Sequence, residues 1–188
     1  MLKMSIWGRI ARAARDNRGV SAVEFALLAP VMIGLYFGCA EIADGVGADR
    51  KVSLISAALA NLSAQTTTIS ASDMTNIFDA SSAIIAPYSA SKLKMTVSCI
   101  KIDGNKAATV KWSQTRGGTA RSVGAYAFDS SSGALAVKDT YLILSEASFD
   151  YTPTVGYTIS GTLTLKDKMY MSPRISPPSY PDAAHPCT

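Results

Sequence analysis

Three hydrophobic patterns follow one another along the chain. The first is an apolar run from Val20 to Ala40 whose one charged residue is Glu24. As a helix those residues would extend about 31 Å, close to the thickness of a bilayer core. Beyond Glu41 the pattern becomes periodic. Val52, Ile55, Leu59 and Leu62 recur at three- and four-residue steps, so the helix is expected to continue as an extracytoplasmic stalk and to end at Gln65-Thr66-Thr67-Thr68. Gly45 and Gly47 are expected to bend or weaken it where it leaves the membrane. A second helix is predicted with Ser72 as N-cap and Asp73 in its first turn. It carries Met74, Ile77, Phe78, Ser81 and Ile84 on one face, and Pro87 closes it.

The period then falls to two. Leu93, Met95, Val97 and Cys99 alternate with Lys94, Thr96 and Ser98, which predicts a half-buried strand. Asp103-Gly104-Asn105 is a turn signal, and Thr109 to Gln114, with Val110 and Trp112 on one side, reads as the partner strand. Residues 115–138 are rich in Gly, Ser and Ala and read as a long connection or mobile surface loop. Strands are predicted again over Thr140–Thr152 and Gly161–Met171. The tail from Ser172 holds five of the eight prolines and is expected to be extended. The expectation is an α+β fold: a long N-terminal transmembrane and stalk helix, a second helix, then a small antiparallel sheet. Its segments are a basic leader (1–19), the transmembrane helix and stalk (20–66), and an extracytoplasmic globular domain with the Pro-rich tail (67–188).

Charge changes this picture in one respect. With 188 residues, 48% hydrophobic and 17% charged, the chain has enough apolar matter for one folded domain and is too apolar for a disordered one. Its formal charge of +4 would suggest nucleic acid or an anionic surface as partner. The surplus is confined, however, to Lys3, Arg9, Arg12, Arg15 and Arg18, opposed only by Asp16; beyond residue 19, basic and acidic residues balance. Basic residues before an apolar span predict a cytoplasmic N-terminus and an exported C-terminal domain. Nucleic acid is not an expected partner.

Glu24 discriminates among readings of the apolar run. A secretory signal would have a shorter run, no internal acid and a small-x-small cleavage site. Lipidation at Cys39 would call for small residues where Tyr36 and Phe37 stand. A retained helix remains, as a plain anchor or a pilin-type segment. A carboxylate among Val23, Phe25, Ala26, Leu27 and Leu28 costs a few kcal/mol in lipid unless it is paired or snorkels to the interface. Cleavage between Gly19 and Val20 would place a new α-amino group four residues before it, able to pair with Glu24 in the same subunit or in a neighbour.

The string from Arg15 to Gly38, and above all its AVEFALLAP core (Ala22 to Pro30), resembles the TadE/TadF-like minor pseudopilins of the tight-adherence (Flp) pilus system. Phe149 to Pro153 and the stretch from Leu163 to Ser176 resemble C-terminal elements of the TadE-like branch more loosely. The resemblance implies a pilin-like fold and a non-catalytic inner-membrane subunit, its C-terminal domain periplasmic, cut after Gly19 by a prepilin peptidase. It implies assembly of adhesive pili with other pilin-like subunits and the Tad assembly platform, with Glu24 and Phe25 as the fifth and sixth mature residues. Gly34 and Gly38 form a GxxxG pattern suited to close helix packing in a membrane or filament. Cys39, within the span, reads as a small buried hydrophobe. In an exported domain Cys99 and Cys187 are expected to form a disulfide.

Catalytic chemistry finds little support. His185 is the sole histidine and lies in the tail, so a His-based triad or multi-His metal site is not expected. Arg116-Gly117-Gly118 lacks the spacing of a phosphate-binding loop. Asp150 and Asp167, nominally paired carboxylates, read as solvated strand positions. No cofactor or metal is expected. The alternative readings are an unprocessed bitopic envelope protein whose periplasmic domain binds a partner and, less favoured by these residues, an anchored enzyme.

Overall fold

The computed structural model describes residues 19–153, 161–180 and Cys187; the basic leader up to Arg18 and the tail His185 lie outside the described residues. Helix α1, Val20–Ala64, is one continuous 45-residue helix that contains Pro30 and passes through Gly45 and Gly47 without a break. The helix is not interrupted at the two glycines. Gly45 is buried against the domain, and that packing offsets a helix-propensity cost of about 1 kcal/mol. The helix stops at Gln65, whose N–H closes the last turn onto the Leu62 carbonyl.

Helix α2, Ala71–Ser82, begins two residues earlier than the sequence suggests, with Ser70 rather than Ser72 as its cap. The reason is geometric. A capping box needs an acidic side chain at the third helical position, and Asp73 stands there relative to Ser70. The Asp73 N–H donates to Ser70 Oγ at 3.1 Å, and the Ser70 N–H donates to the Asp73 carboxylate at 3.0 Å. Met74, Ile77, Phe78 and Ser81 are buried, as the periodicity predicts, whereas the next apolar anchor is Ile85, with Ile84 only half-buried.

Five strands follow: β1 (Leu93–Ile102), β2 (Ala108–Arg116), β3 (Gly124–Tyr126), β4 (Thr140–Tyr151) and β5 (Leu163–Met171). They form one antiparallel sheet in the order β3-β2-β1-β4-β5. The β1–β2 turn is fixed by Asp103, whose carboxylate accepts the Asn105 and Ala107 N–H groups at 2.9 and 2.8 Å. Leu93, Met95, Val97 and Cys99 face the helices, with Ile143, Ala147, Phe149 and Tyr151 beside them on β4. The C-terminal half of α1 supplies Ala48, Val52, Ile55 and Leu59 to the same core, all fully buried. Ser56, also fully buried, ties this helix to two strands: it donates to Asp167 Oδ2 at 2.6 Å, and its carbonyl accepts the Ser145 hydroxyl at 2.6 Å.

One inserted residue lets β2 serve two cores. The register shifts between Cys99↔Trp112 and Ile100↔Val110, so Lys111 has no opposite number on β1. Such a bulge reverses which face the following side chains take. Val110 and Trp112, expected on one side, therefore part company. Trp112 joins the helix-side core, and Val110 joins Ile100, Ile102, Ala108, Leu142 and Leu144 in a second cluster on the outer face. That second cluster is covered by Tyr126 and Phe128. The 115–138 segment is thus not merely a connection. It contributes β3 to the sheet edge, through Ala108↔Tyr126 and Val110↔Gly124, and a lid of aromatic rings to the outer face.

Beyond β5 the tail turns back across the end of α1. Arg174 donates its N–H to the Ala64 carbonyl at 2.9 Å, and Ser179 exchanges backbone bonds with Thr67 and Ile69 at 3.1 and 3.0 Å. Trp112 Nε1 donates to the Pro178 carbonyl at 2.9 Å, which satisfies the one polar atom of a buried indole. Cys99 and Cys187 are joined in a disulfide that closes a loop of 88 residues with both cysteines fully buried. Asp150 and Asp167 are not a pair: Asp150 lies on the outer face with Lys94 at 3.0 Å, and Asp167 lies on the helix side with Ser56.

Candidate functional site

The residues singled out in the N-terminal segment all sit on the half of α1 that is not buried by any described residue. Its most apolar 18-residue window has a mean hydropathy of 1.9 and none of it is buried, so the helix is long and apolar enough to cross a membrane. Gly19 caps α1 with no side-chain hydrogen bond, and Val20, Glu24 and Phe25 are exposed, Phe25 by 72%. Val20 and Glu24 stand four residues apart, which places them on one face about 6 Å apart along the axis. Among the described residues Glu24 has no hydrogen-bond or ion-pair partner.

Gly34 and Gly38 lie one turn apart, on the same face as Pro30. The missing side chains leave a shallow groove of about 580 Å³, flanked by Val31, Leu35 and Ile42. Cys39 also borders it and is exposed, contrary to the expectation that it would be buried, because none of the described residues packs on that stretch of helix.

A second cluster, which no sequence pattern predicts, joins the helix to the domain where α1 enters it. Glu41 and Gly45 are already buried. Asp44 accepts the Tyr151 hydroxyl at 2.8 Å and the Tyr88 hydroxyl at 2.5 Å, across sequence separations of 107 and 44. The Tyr88 ring also meets the Phe149 and Tyr151 rings, at 5.8 and 6.0 Å between centroids. Burial, and after it the hydrogen bond to Asp44, pushes the Tyr151 hydroxyl up to about 12, and the same two causes raise Tyr88. A charged residue just past an apolar span is the only signal the sequence carried here. Its tyrosine partners come from segments no local pattern connects.

Among the described residues there is no cluster of three or more His, Cys, Asp or Glu side chains able to hold a metal ion. No curated protein and no solved structure matches the chain. A family model described as TadE-like protein matches residues 19–53, which takes in Gly19, Glu24, the Gly34–Gly38 groove and Asp44. Over this helix the chain is similar to the TadE-like proteins of the Tad pilus system, a pilin-like and structural family rather than a catalytic one.

Proposed function

We propose that the protein is a minor pseudopilin of the Tad system, cut after Gly19 by a prepilin peptidase and needed for assembly of adhesive pili. The observation that carries this reading is Glu24. It is an exposed carboxylate without a partner among the described residues, one helical turn past Val20 on an otherwise apolar stretch of helix. Cleavage at Gly19 gives it that partner, because the new Val20 amine is positive and can pair with Glu24 of the same or a neighbouring subunit. The leader then remains on the cytoplasmic side of the inner membrane, and the sheet domain lies in the periplasm.

The partners of this helix are other pilin-like subunits and the Tad assembly platform. In support, its exposed apolar side chains extend past the bilayer-length span to Ile42, Val46 and Leu54, which lipid alone would not cover. The groove at Gly34 and Gly38 would let a neighbouring helix approach closely.

N-terminal sequencing of the protein recovered from membranes tests the proposal. The expected mature terminus is Val20, and Gly19→Ala is expected to block processing. An intact N-terminus together with unimpaired piliation by Glu24→Ala would instead identify an unprocessed bitopic envelope protein.

A further inference from the structure

The two edges of the sheet differ. β3 closes one side with three residues, Gly124–Tyr126, too short a stretch to hold a further strand. β5 closes the other with nine, Leu163–Met171. They pair with β4 in one unbroken register, from Tyr151↔Leu163 to Ile143↔Met171. The strand contains no proline and no bulge, two of the usual devices that end pairing at an edge. Among the described residues no backbone group bonds to its free side. Every second residue of β5 therefore holds an unpaired N–H and C=O pointing away from the sheet.

Alternation divides the side chains of β5 between two faces. Leu165 and Met171 join the helix-side core, and Asp167 accepts the Ser56 hydroxyl there. Leu163 stands on that same face, opposite Tyr151, and is exposed by 45%. Thr164, Lys166, Lys168 and Tyr170 take the outer face. The Thr164 hydroxyl donates to Asp150 at 2.9 Å, the Tyr170 and Tyr126 hydroxyls meet at 2.7 Å, and Lys168 pairs with Asp129. Lys166 is exposed and forms no ion pair among the described residues.

These side chains discriminate between a second copy of the chain and a different partner. Two β5 strands related by a two-fold axis would pair antiparallel. The full-length register sets Asp167 against Asp167 and Lys166 against Lys168. The next longest overlaps set Lys166 against Lys166, or Lys168 against Lys168. Like charges directly opposed across two strands are destabilising, so the edge is written against itself. The same lysines favour acidic side chains in a foreign strand. Glu146 and Asp150 do not cancel them, because both lie on β4, two strand spacings or about 10 Å from a strand added beyond β5.

We propose that the free edge of β5 takes up an extended segment of a different protein as a sixth strand. The segment alternates aliphatic residues, which extend the helix-side face beside Leu163 and Leu165, with acidic residues opposite Lys166 and Lys168. A row of backbone donors and acceptors is matched by another extended backbone; a helix keeps its own groups bonded internally, and a lipid headgroup has no such row. The edge lies outside residues 19–53 and owes nothing to cleavage at Gly19, so this interface and the processing of the helix stand or fall separately.

The test uses the full chain in detergent micelles, titrated with fluorescent nine-residue peptides and followed by amide hydrogen exchange. A peptide alternating valine and glutamate is expected to bind saturably and to slow exchange in β5. One alternating valine and lysine should bind at least about tenfold more weakly. Two further versions of the acidic peptide carry N-methyl groups on the valines or on the glutamates. Only one of them should lose binding, because only alternate residues of an added strand face β5. Lys166→Glu is expected to weaken the acidic peptide about fivefold and Lys138→Gln, away from this edge, to leave it unchanged, with near-ultraviolet dichroism kept in both variants. Absence of saturable binding, equal binding of the acidic and basic peptides, or equal behaviour of the methylated pair would overturn the proposal. So would β5 exchange that is already slow without peptide; if that slowing grows with protein concentration, the occupant is a second copy instead.

Discussion

The two halves of α1 are the same secondary structure under opposite rules. From Val20 to Ala40 the helix is apolar around its whole circumference and buries nothing within the chain. From Glu41 to Ala64 it buries one face against the domain, with Val52, Ile55 and Leu59 fully buried, while Leu54 on the other side is exposed by 59%. An all-round apolar surface is stable only in lipid or among other helices; a single stripe is what a sheet requires. The first half is thus written for surroundings outside the chain, and the second for this chain's own core.

The contrast can be broken in graded steps, all measured by denaturant unfolding of the full chain in micelles. Replacing both Cys99 and Cys187 by Ala should have the largest effect, a loss of about 4 kcal/mol, with the tail becoming sensitive to protease. Leu59→Ala should cost about 3 kcal/mol, whereas Leu54→Ala, five residues earlier on the exposed side, should stay within about 0.5 kcal/mol. A comparable cost at both leucines would mean that the upper helix is not one-sided.

A pH effect comes next. The folded-state pKa of Tyr151, about 12, lies above the usual tyrosine value of about 10, so the unfolded chain loses this proton first. Stability should be fully present below pH 10 and fall progressively toward pH 12; Tyr151→Phe should flatten that fall. Glu24→Ala should have the smallest effect on unfolding, within about 0.5 kcal/mol, because its side chain touches no core. The same substitution should abolish piliation if its partner is another subunit's amine.

Patterns that depend on near neighbours were legible before folding. The helix–helix–sheet order, the faces of α2 and β1, the turn at Asp103 and the tail-to-sheet disulfide could be read from spacing and residue type. What stayed hidden depends on distant partners or on a count that is off by one. Lys111 looks like any other strand residue, yet as the bulge it sends Val110 and Trp112 to opposite faces. Gly45 reads as a weak point until the domain buries it, and Ser72 looks as good a cap as Ser70 until Asp73 chooses between them. Gly19, Glu24 and Gly34 stand out in the sequence because the chemistry proposed for them is local. The Tyr88–Asp44–Tyr151 cluster does not, since it joins three separate stretches of chain.

Because α1 runs unbroken past Gly45 and Gly47 while Asp44 and Ser56 bind it to the sheet, one helix carries both the apolar span and the contacts to the domain. Every residue by which the helix is seated deeper or shallower in its surroundings raises or lowers the sheet by about 1.5 Å. Seating the neighbouring residue against the same partner also turns the sheet by about 100°, the rotation per residue of an α-helix. The choice of Val20 rather than an adjacent residue as first residue would therefore be a choice of heading: it decides which face of the distant sheet a neighbouring subunit meets.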